Sequence, residues 1–152
     1  MNTLTLPNLG HVGLVVSDIP KFLDHFVNLF GITNFEIYNF EAVEAKLFDK
    51  QINDFCLKIA IGSFINNIKI ELIEPINDGG FYTKYLDKYG NGLNHLAFYV
   101  NNISKWRQYF IDNNLPIVFE AIVVDEIRGE RHIFYTKLKE LNYYYEFAEV
   151  FK

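Results

Sequence analysis

His11-Val-Gly-Leu-Val-Val-Ser-Asp-Ile19 lies over His95-Leu-Ala-Phe-Tyr-Val-Asn-Asn-Ile103 without a gap, 84 residues apart. The register carries on, with Lys21 on Lys105, Phe22 on Trp106 and Phe26 on Phe110. Self-similarity of this kind divides the chain into two copies of one unit, and it governs every later assignment. In each copy the apolar, β-branched run predicts a strand. Ser17-Asp18 in the first copy, and Asn101-Asn102 with Ser104 in the second, are helix-capping residues ahead of an amphipathic stretch. Pro20 sits where a first helical turn tolerates it. Gly31 stops the first helix, and Asn113-Asn114 with Pro116 stop the second.

A second pair of segments repeats as well. Ile68-Lys-Ile-Glu71-Leu-Ile-Glu74-Pro75 lies over Tyr143-Tyr-Tyr-Glu146-Phe-Ala-Glu149-Val150, and each closes its half with a strand carrying Glu-x-x-Glu. Between helix and closing strand, further strands are predicted at about Phe35–Phe48 and Phe55–Gly62, and at about Val118–Asp125 and His132–Lys137. Each half therefore reads as βαβββ, over 9–76 and 93–150, within one domain spanning 1–152. The join, Asn77–Gly92, holds a short helix near Phe81–Tyr89 that Gly90 ends. A four-stranded sheet with one helix cannot cover both its faces. Two such units predict an α+β fold, an eight-stranded curved mixed sheet with helices outside and a ligand-sized concavity inside.

Composition narrows the classes of function. Of 152 residues half are hydrophobic and 17% aromatic, which argues for a folded globule. Lys and Arg number 14 against 19 Asp and Glu, a net charge of −5 that argues against nucleic-acid and polybasic membrane binders. The one cysteine, Cys56, excludes an internal disulfide framework and a Cys-rich zinc site. No apolar run approaches the ~18 residues of a membrane span. Met1–Leu9 has no basic residue followed by an apolar core, so no signal peptide is expected, and a cytoplasmic protein is the expectation.

The repeat also selects the residues that carry chemistry. Side chains alternate across a strand, so parity tells which share a face. If Val12, Leu14 and Val16 pack under the helix, His11, Gly13 and Val15 face the concavity. In the second copy Leu96, Phe98 and Val100 pack, leaving His95 and Ala97 inward. In the closing strands Ile70 and Leu72 pack, so Glu71 faces inward and Glu74 faces the helices or the strand end, and Glu146 occupies the place of Glu71. Two imidazoles and two carboxylates suit one divalent first-row ion, with cobalt, nickel, zinc, manganese and iron all open. Four protein ligands leave up to two positions for a chelating substrate.

The duplicated βαβββ plan with His-Glu-His-Glu resembles the vicinal oxygen chelate superfamily, which includes glyoxalase I, extradiol dioxygenases and methylmalonyl-CoA epimerase. The resemblance covers essentially the whole chain. Within it, Ile70-Glu-Leu-Ile-Glu-Pro75, the helix Phe81–Lys88 and Gly90-Asn-Gly-Leu-Asn-His-Leu-Ala-Phe98 are most similar to methylmalonyl-CoA epimerases and glyoxalase-like relatives. Carried over, the resemblance implies His11, Glu71 (a Gln or Glu position in that group), His95 and Glu146 as ligands of the metal. The chain departs from that group in having Asn94 before His95, and in having no carboxylate in Leu57-Lys-Ile-Ala-Ile61, where some epimerases carry a second catalytic Glu.

These features lead to an isomerase or lyase working through an enolate or enediolate, epimerase-like, with a glyoxalase-like thiol lyase as the alternative. The substrate is accordingly an acyl-CoA or a thiol adduct. Glu146, or Glu44 as the nearest further inward carboxylate, moves the proton. A ring-cleaving dioxygenase and a non-catalytic binding protein of the same fold are the competing classes. His25 and His132 lack partners in the other half and are read as surface or structural. Arg128-Gly-Glu-Arg131 reads as a charged turn that could hold a substrate phosphate or carboxylate at the cavity mouth. Exposed edges of a curved sheet need cover; a homodimer is therefore expected, with Ile117–Val124 as the apolar stretch to supply it. Sedimentation at micromolar concentration should show the dimer, and a purely monomeric profile would overturn that expectation.

Overall fold

The two strands of the repeat lie side by side, and the rest of the sheet grows outward from them. The computed structural model describes residues 3–126 and 128–151. Its elements are β1 (Leu9–Val15), α1 (Ile19–Phe30), β2 (Glu36–Glu41), β3 (Glu44–Leu47), β4 (Lys50–Gln51), β5 (Cys56–Ile65), β6 (Ile68–Asn77), α2 (Phe81–Tyr89), β7 (Gly92–Tyr99), α3 (Ile103–Asp112), β8 (Ile117–Asp125), β9 (Gly129–Thr136) and β10 (Tyr144–Phe151). The sheet order is β2-β5-β6-β1-β7-β10-β9-β8-β3-β4. β1 runs parallel to β6 and β7 parallel to β10, while β1 and β7 are antiparallel, so the sheet is mixed.

The sheet has ten strands rather than the expected eight. The stretch Phe35–Phe48 is not one strand. It breaks at Ala42-Val43, where the backbone bonds first to Phe55 and then to Ile122. The chain thus leaves one end of the sheet at β2 and rejoins the other end at β3, which pairs with β8. Positive φ at Phe48 and Asp49 then turns it into the two-residue β4. One consequence is that β8, which contains the stretch Ile117–Val124, is paired on both sides and offers no open edge. The edges are β2 and the very short β4.

Crossing from one sheet end to the other curls the sheet around an inner core. Phe40, Phe55, Leu57 and Ile59 from the first half meet Phe119, Ala121, Val123 and Tyr135 from the second. Helices α1 and α3 cover the outer face, over clusters built on Leu72 and Val16, and on Phe147 and Trp106. Helix α2 departs from the expected outer layer: its Phe81 and Tyr82 belong to the inner cluster, and Phe81 stacks on Phe119 at 4.9 Å. Asp78 starts that helix by accepting from the Gly80 and Thr83 backbone amides. No helix among the described residues is long and apolar enough to cross a membrane.

The Glu-x-x-Glu repeat explains how each outer helix is anchored. Residues three apart on a strand point to opposite faces, so Glu74 and Glu149 point outward. The Glu74 carboxylate accepts from the Ile19 amide at 2.9 Å. Glu149 accepts from Asn102 and Ile103 at 2.9 and 2.8 Å. These are the unpaired amides of the first turns of α1 and α3, where negative charge is also favoured by the helix dipole. Asp18 and Asn102 complete the caps through Lys21 and Lys105. Glu74→Ala and Glu149→Ala should each cost about 1 kcal/mol in denaturant unfolding, the usual worth of a helix cap, with metal content unchanged. Loss of metal in either variant would overturn the assignment of faces.

Candidate metal centre

The four central strands, β6-β1-β7-β10, each contribute one inward donor: Glu71, His11, His95 and Glu146. All four are buried, between 0% and 8% exposed. His11 Nε2 lies 3.1 Å from His95 Nε2. Glu71 Oε2 is 3.3 Å from both imidazole nitrogens, and Glu146 Oε2 is 3.4 Å from that of His11 and 2.9 Å from that of His95.

The register of β1 against β7 makes this convergence possible. His11 faces Ala97 across the pair, and Gly13 faces His95. A small residue opposite each imidazole leaves the ring its space. At Gly13 a Cβ would stand 2.0 Å from the His95 ring, so no side chain fits there.

The donors fit a divalent ion on their own chemistry. Ligands at about 2.0–2.2 Å from one ion stand roughly 3.0–3.5 Å apart when adjacent, close to the imidazole–imidazole and imidazole–carboxylate spacings here, and all four donors lie within 4.8 Å of one another. The outer nitrogens are held as metal-binding histidines require. His95 Nδ1 donates to Asn94 Oδ1 at 2.9 Å, which turns the Nε2 lone pair toward the cluster, and His11 Nδ1 lies 3.2 Å from the Tyr99 hydroxyl. Two lone pairs and two carboxylates meeting in a buried space need positive charge. Without a metal, protons supply it. Burial resists protonation of His11, but the Glu71 and Glu146 charges outweigh it and raise its pKa well above the ordinary 6.5. His95 is raised for the same reason, chiefly by Glu146. Burial would raise both carboxyls, yet the two imidazoles hold Glu71 and Glu146 below the usual carboxylate range.

Beyond the four donors, a chain of tyrosines orients Glu146. The Tyr82 hydroxyl donates to Tyr135 at 2.8 Å, and Tyr135 donates to Glu146 Oε2 at 3.0 Å. Burial pushes both phenols well above their ordinary pKa, so they remain donors. The cluster opens on a cavity of about 360 Å³, walled in part by Tyr38, Tyr99, Lys69, Arg128 and Arg131. Arg128 and Arg131 of the charged segment thus reach the same cavity as His11, Glu71 and Glu146. Sequence reading did not find Tyr135, Tyr82 or Tyr38. Tyr135 stands opposite Glu146 in the β9–β10 register, which the irregular loop before β10 hides from the sequence.

Glu44 is not brought to the cluster. Its neighbour Ala45 is buried in the inner core, so Glu44 faces outward, where it pairs with Lys46 at 3.0 Å. His25 is exposed on α1, and His132 pairs with Glu130. The inward residues of β5, Leu57 and Ile59 in the core and Ile61 at the cavity wall, carry no acid–base group.

Comparison with known proteins places the chain. The sequence profile of the Glyoxalase/Bleomycin resistance protein/Dioxygenase superfamily matches residues 10–135, and the chain belongs to that superfamily. The uncharacterized protein YqjC of Bacillus subtilis is 27% identical over 111 residues, covering 72% of this chain and 69% of its own. Methylmalonyl-CoA epimerase from Mycobacterium tuberculosis superposes with a TM-score of 0.70 at 19% identity, over 100% of this chain and 93% of that one. A Streptomyces coelicolor methylmalonyl-CoA epimerase variant in complex with 2-nitronate-propionyl-CoA gives 0.68 at 16% identity, over 97% and 100%. These likenesses establish the fold.

Purified without chelators, the protein should carry about one divalent ion per chain, measured by elemental analysis. His11→Ala, His95→Ala, Glu71→Ala and Glu146→Ala should each lose it, and Gly13→Ala should lose it by displacing His95. Because the imidazole pKa values of the metal-free site are raised, proton competition sets in above the ordinary imidazole range, so apparent metal affinity should weaken steadily as pH falls below that point. Retention in His95→Ala would refute the site.

Proposed function

We propose that this chain is a divalent-metal-dependent isomerase or lyase, which moves a proton on a small substrate chelated through two neighbouring oxygens. The buried His-Glu-His-Glu group at the base of an open cavity carries this reading. His11, Glu71, His95 and Glu146 would hold the ion. When bound, it would supply Lewis acidity, making the carbon acid beside the chelated oxygens easier to deprotonate. Glu146 would take the proton. Its Oε2 is fixed by Tyr135, and Tyr82 fixes Tyr135 in turn, so the carboxylate meets the substrate in one orientation. On its far side that carboxylate meets a small space walled largely by apolar side chains, among them Phe40, Leu57 and Ile59.

The epimerase-like form of this reading rests on the likeness of fold and on the Ile70–Phe98 segment. A methylmalonyl thioester offers two oxygens suited to chelation. A glyoxalase-like lyase acting on a thiol adduct is the second reading, and one observation favours it. Epimerisation needs groups on both faces of the reacting carbon, whereas the inward face of β5 is apolar and Glu44 points away. A lyase can shuttle a proton with the ligand carboxylates alone.

In heavy water, with cobalt or nickel restored, the protein should exchange deuterium into the α-position of methylmalonyl-CoA, and Glu146→Gln should abolish the exchange. No exchange, with turnover of a methylglyoxal–thiol hemithioacetal, would reject the epimerase form and leave the lyase. Activity on neither would reject both substrates.

A further inference from the structure

The cavity above the cluster carries more positive charge than holding a metal requires. Lys69 on β6, Arg128 in the turn before β9 and Arg131 on β9 all line it. Arg128 is committed: its Nη2 lies 2.9 Å from the exposed Glu36, and its guanidinium sits 3.9 Å over the Tyr38 ring. Lys69 has no ion pair among the described residues. Arg131 is the informative one. Its side chain is 12% exposed, and Asp125 engages Nη2 at 2.5 Å. Its Nε is buried and finds no hydrogen-bond acceptor among the described residues. The large majority of buried side-chain donors in native structures have a partner, so this one calls for an acceptor, which a ligand in the cavity would supply.

Charge and distance agree with that reading. A divalent ion would balance Glu71 and Glu146, while Glu36 and Asp125 offset two of the three wall cations, leaving the cavity positive by one. Tyr38 lines the cavity together with Glu71, Arg128 and Arg131, so the guanidinium groups and the cluster surround one space. Arg131 stands opposite Val150, four residues beyond Glu146. That is about 13 Å along the strand, part of which an arginine side chain spans. A cavity of about 360 Å³ is near the small end of the roughly 300–1,000 Å³ typical of ligand sites. It admits a compact acid, and would leave all but the acyl end of a coenzyme thioester outside.

We infer that Arg131, with Arg128 and Lys69 beside it, is a specificity-determining anion subsite facing the metal cluster, so that the substrate is a compact acid with a carboxylate or phosphonate-like group a short carbon chain from its chelating oxygens. This rests on the metal-dependent reading above and narrows its substrate class. Arg suits the task because its guanidinium stays charged when buried and carries donors beyond the Nη2 that Asp125 engages.

The test uses cobalt-loaded protein and the visible spectrum of the ion. Pyruvate, 2-oxoglutarate and 3-phosphonopyruvate share one chelating 2-oxo acid end, and only the last two carry a second anion. At least one of those two should bind tenfold or more tightly than pyruvate, and which of them does so separates a carboxylate subsite from a phosphonate one. Arg131→Met should reduce that ligand to the affinity of pyruvate while changing pyruvate itself by less than about twofold, and Arg131→Lys should restore part of the preference. Equal affinities for all three in the unmutated protein, or no response to any, overturn the subsite while leaving the metal centre standing, whatever the variants do. A protein that takes up no cobalt overturns both.

Discussion

Two carboxylates and two imidazoles whose donor atoms lie within 4.8 Å of one another in a buried space impose the strictest demand in this molecule. Burying one unpaired carboxylate already costs several kcal/mol, so the group is stable only around a shared positive charge. The four central strands meet that demand symmetrically. Each half gives one histidine from its first strand and one glutamate from its last, and the antiparallel contact of β1 with β7 brings the two halves together. The parallel pairs β1–β6 and β7–β10 then place each glutamate beside the histidines. The small residues Gly13 and Ala97 are required by that same contact.

The same strands also hold the outer layer. In β6 and β10 one glutamate faces the cluster and the glutamate three residues later caps a helix. A shift of one residue in either strand would exchange the two roles, putting the capping carboxylate into the cavity and the ligand among apolar helix contacts. The site and the helix anchorage therefore fix one register between them, and neither can drift alone.

Much of this was legible in the sequence, because a repeat and a period of two are local properties. The gapless alignment of His11 with His95, together with parity, led to the four donors and set Glu74 and Glu149 apart from them. Long-range pairing was less accessible. Phe35–Phe48 has no glycine or proline to announce a break, so it reads as one strand in which Tyr38, Phe40 and Glu44 share a face. The break at Ala42-Val43 reverses the parity: Phe40 and Ala45 are buried inward, and Glu44 is turned out. That break accounts for one of the two extra strands and for the displacement of Glu44, and the turn at Phe48-Asp49 adds the other strand. Tyr135 and Tyr82 were hidden for a related reason, since their meeting with Glu146 depends on a hairpin register and on α2 entering the inner core.

Closure of the sheet and recognition at its mouth involve the same segments, and magnitudes separate their causes. The Arg128–Glu36 pair spans the two ends of the sheet, but Glu36 is 57% exposed, and exposed ion pairs contribute about 0–1 kcal/mol. The aromatic cluster beneath it is far larger. Phe55 meets Phe119 at 5.1 Å and Phe119 meets Tyr135 at 5.5 Å, all buried to within a few per cent. Each such side chain contributes roughly 1.5–3 kcal/mol by burial. The apolar cluster, together with the β3–β8 ladder, therefore keeps the two ends together. Closure thus does not depend on the Arg128–Glu36 pair, which sits at the cavity mouth above the cluster that does the holding.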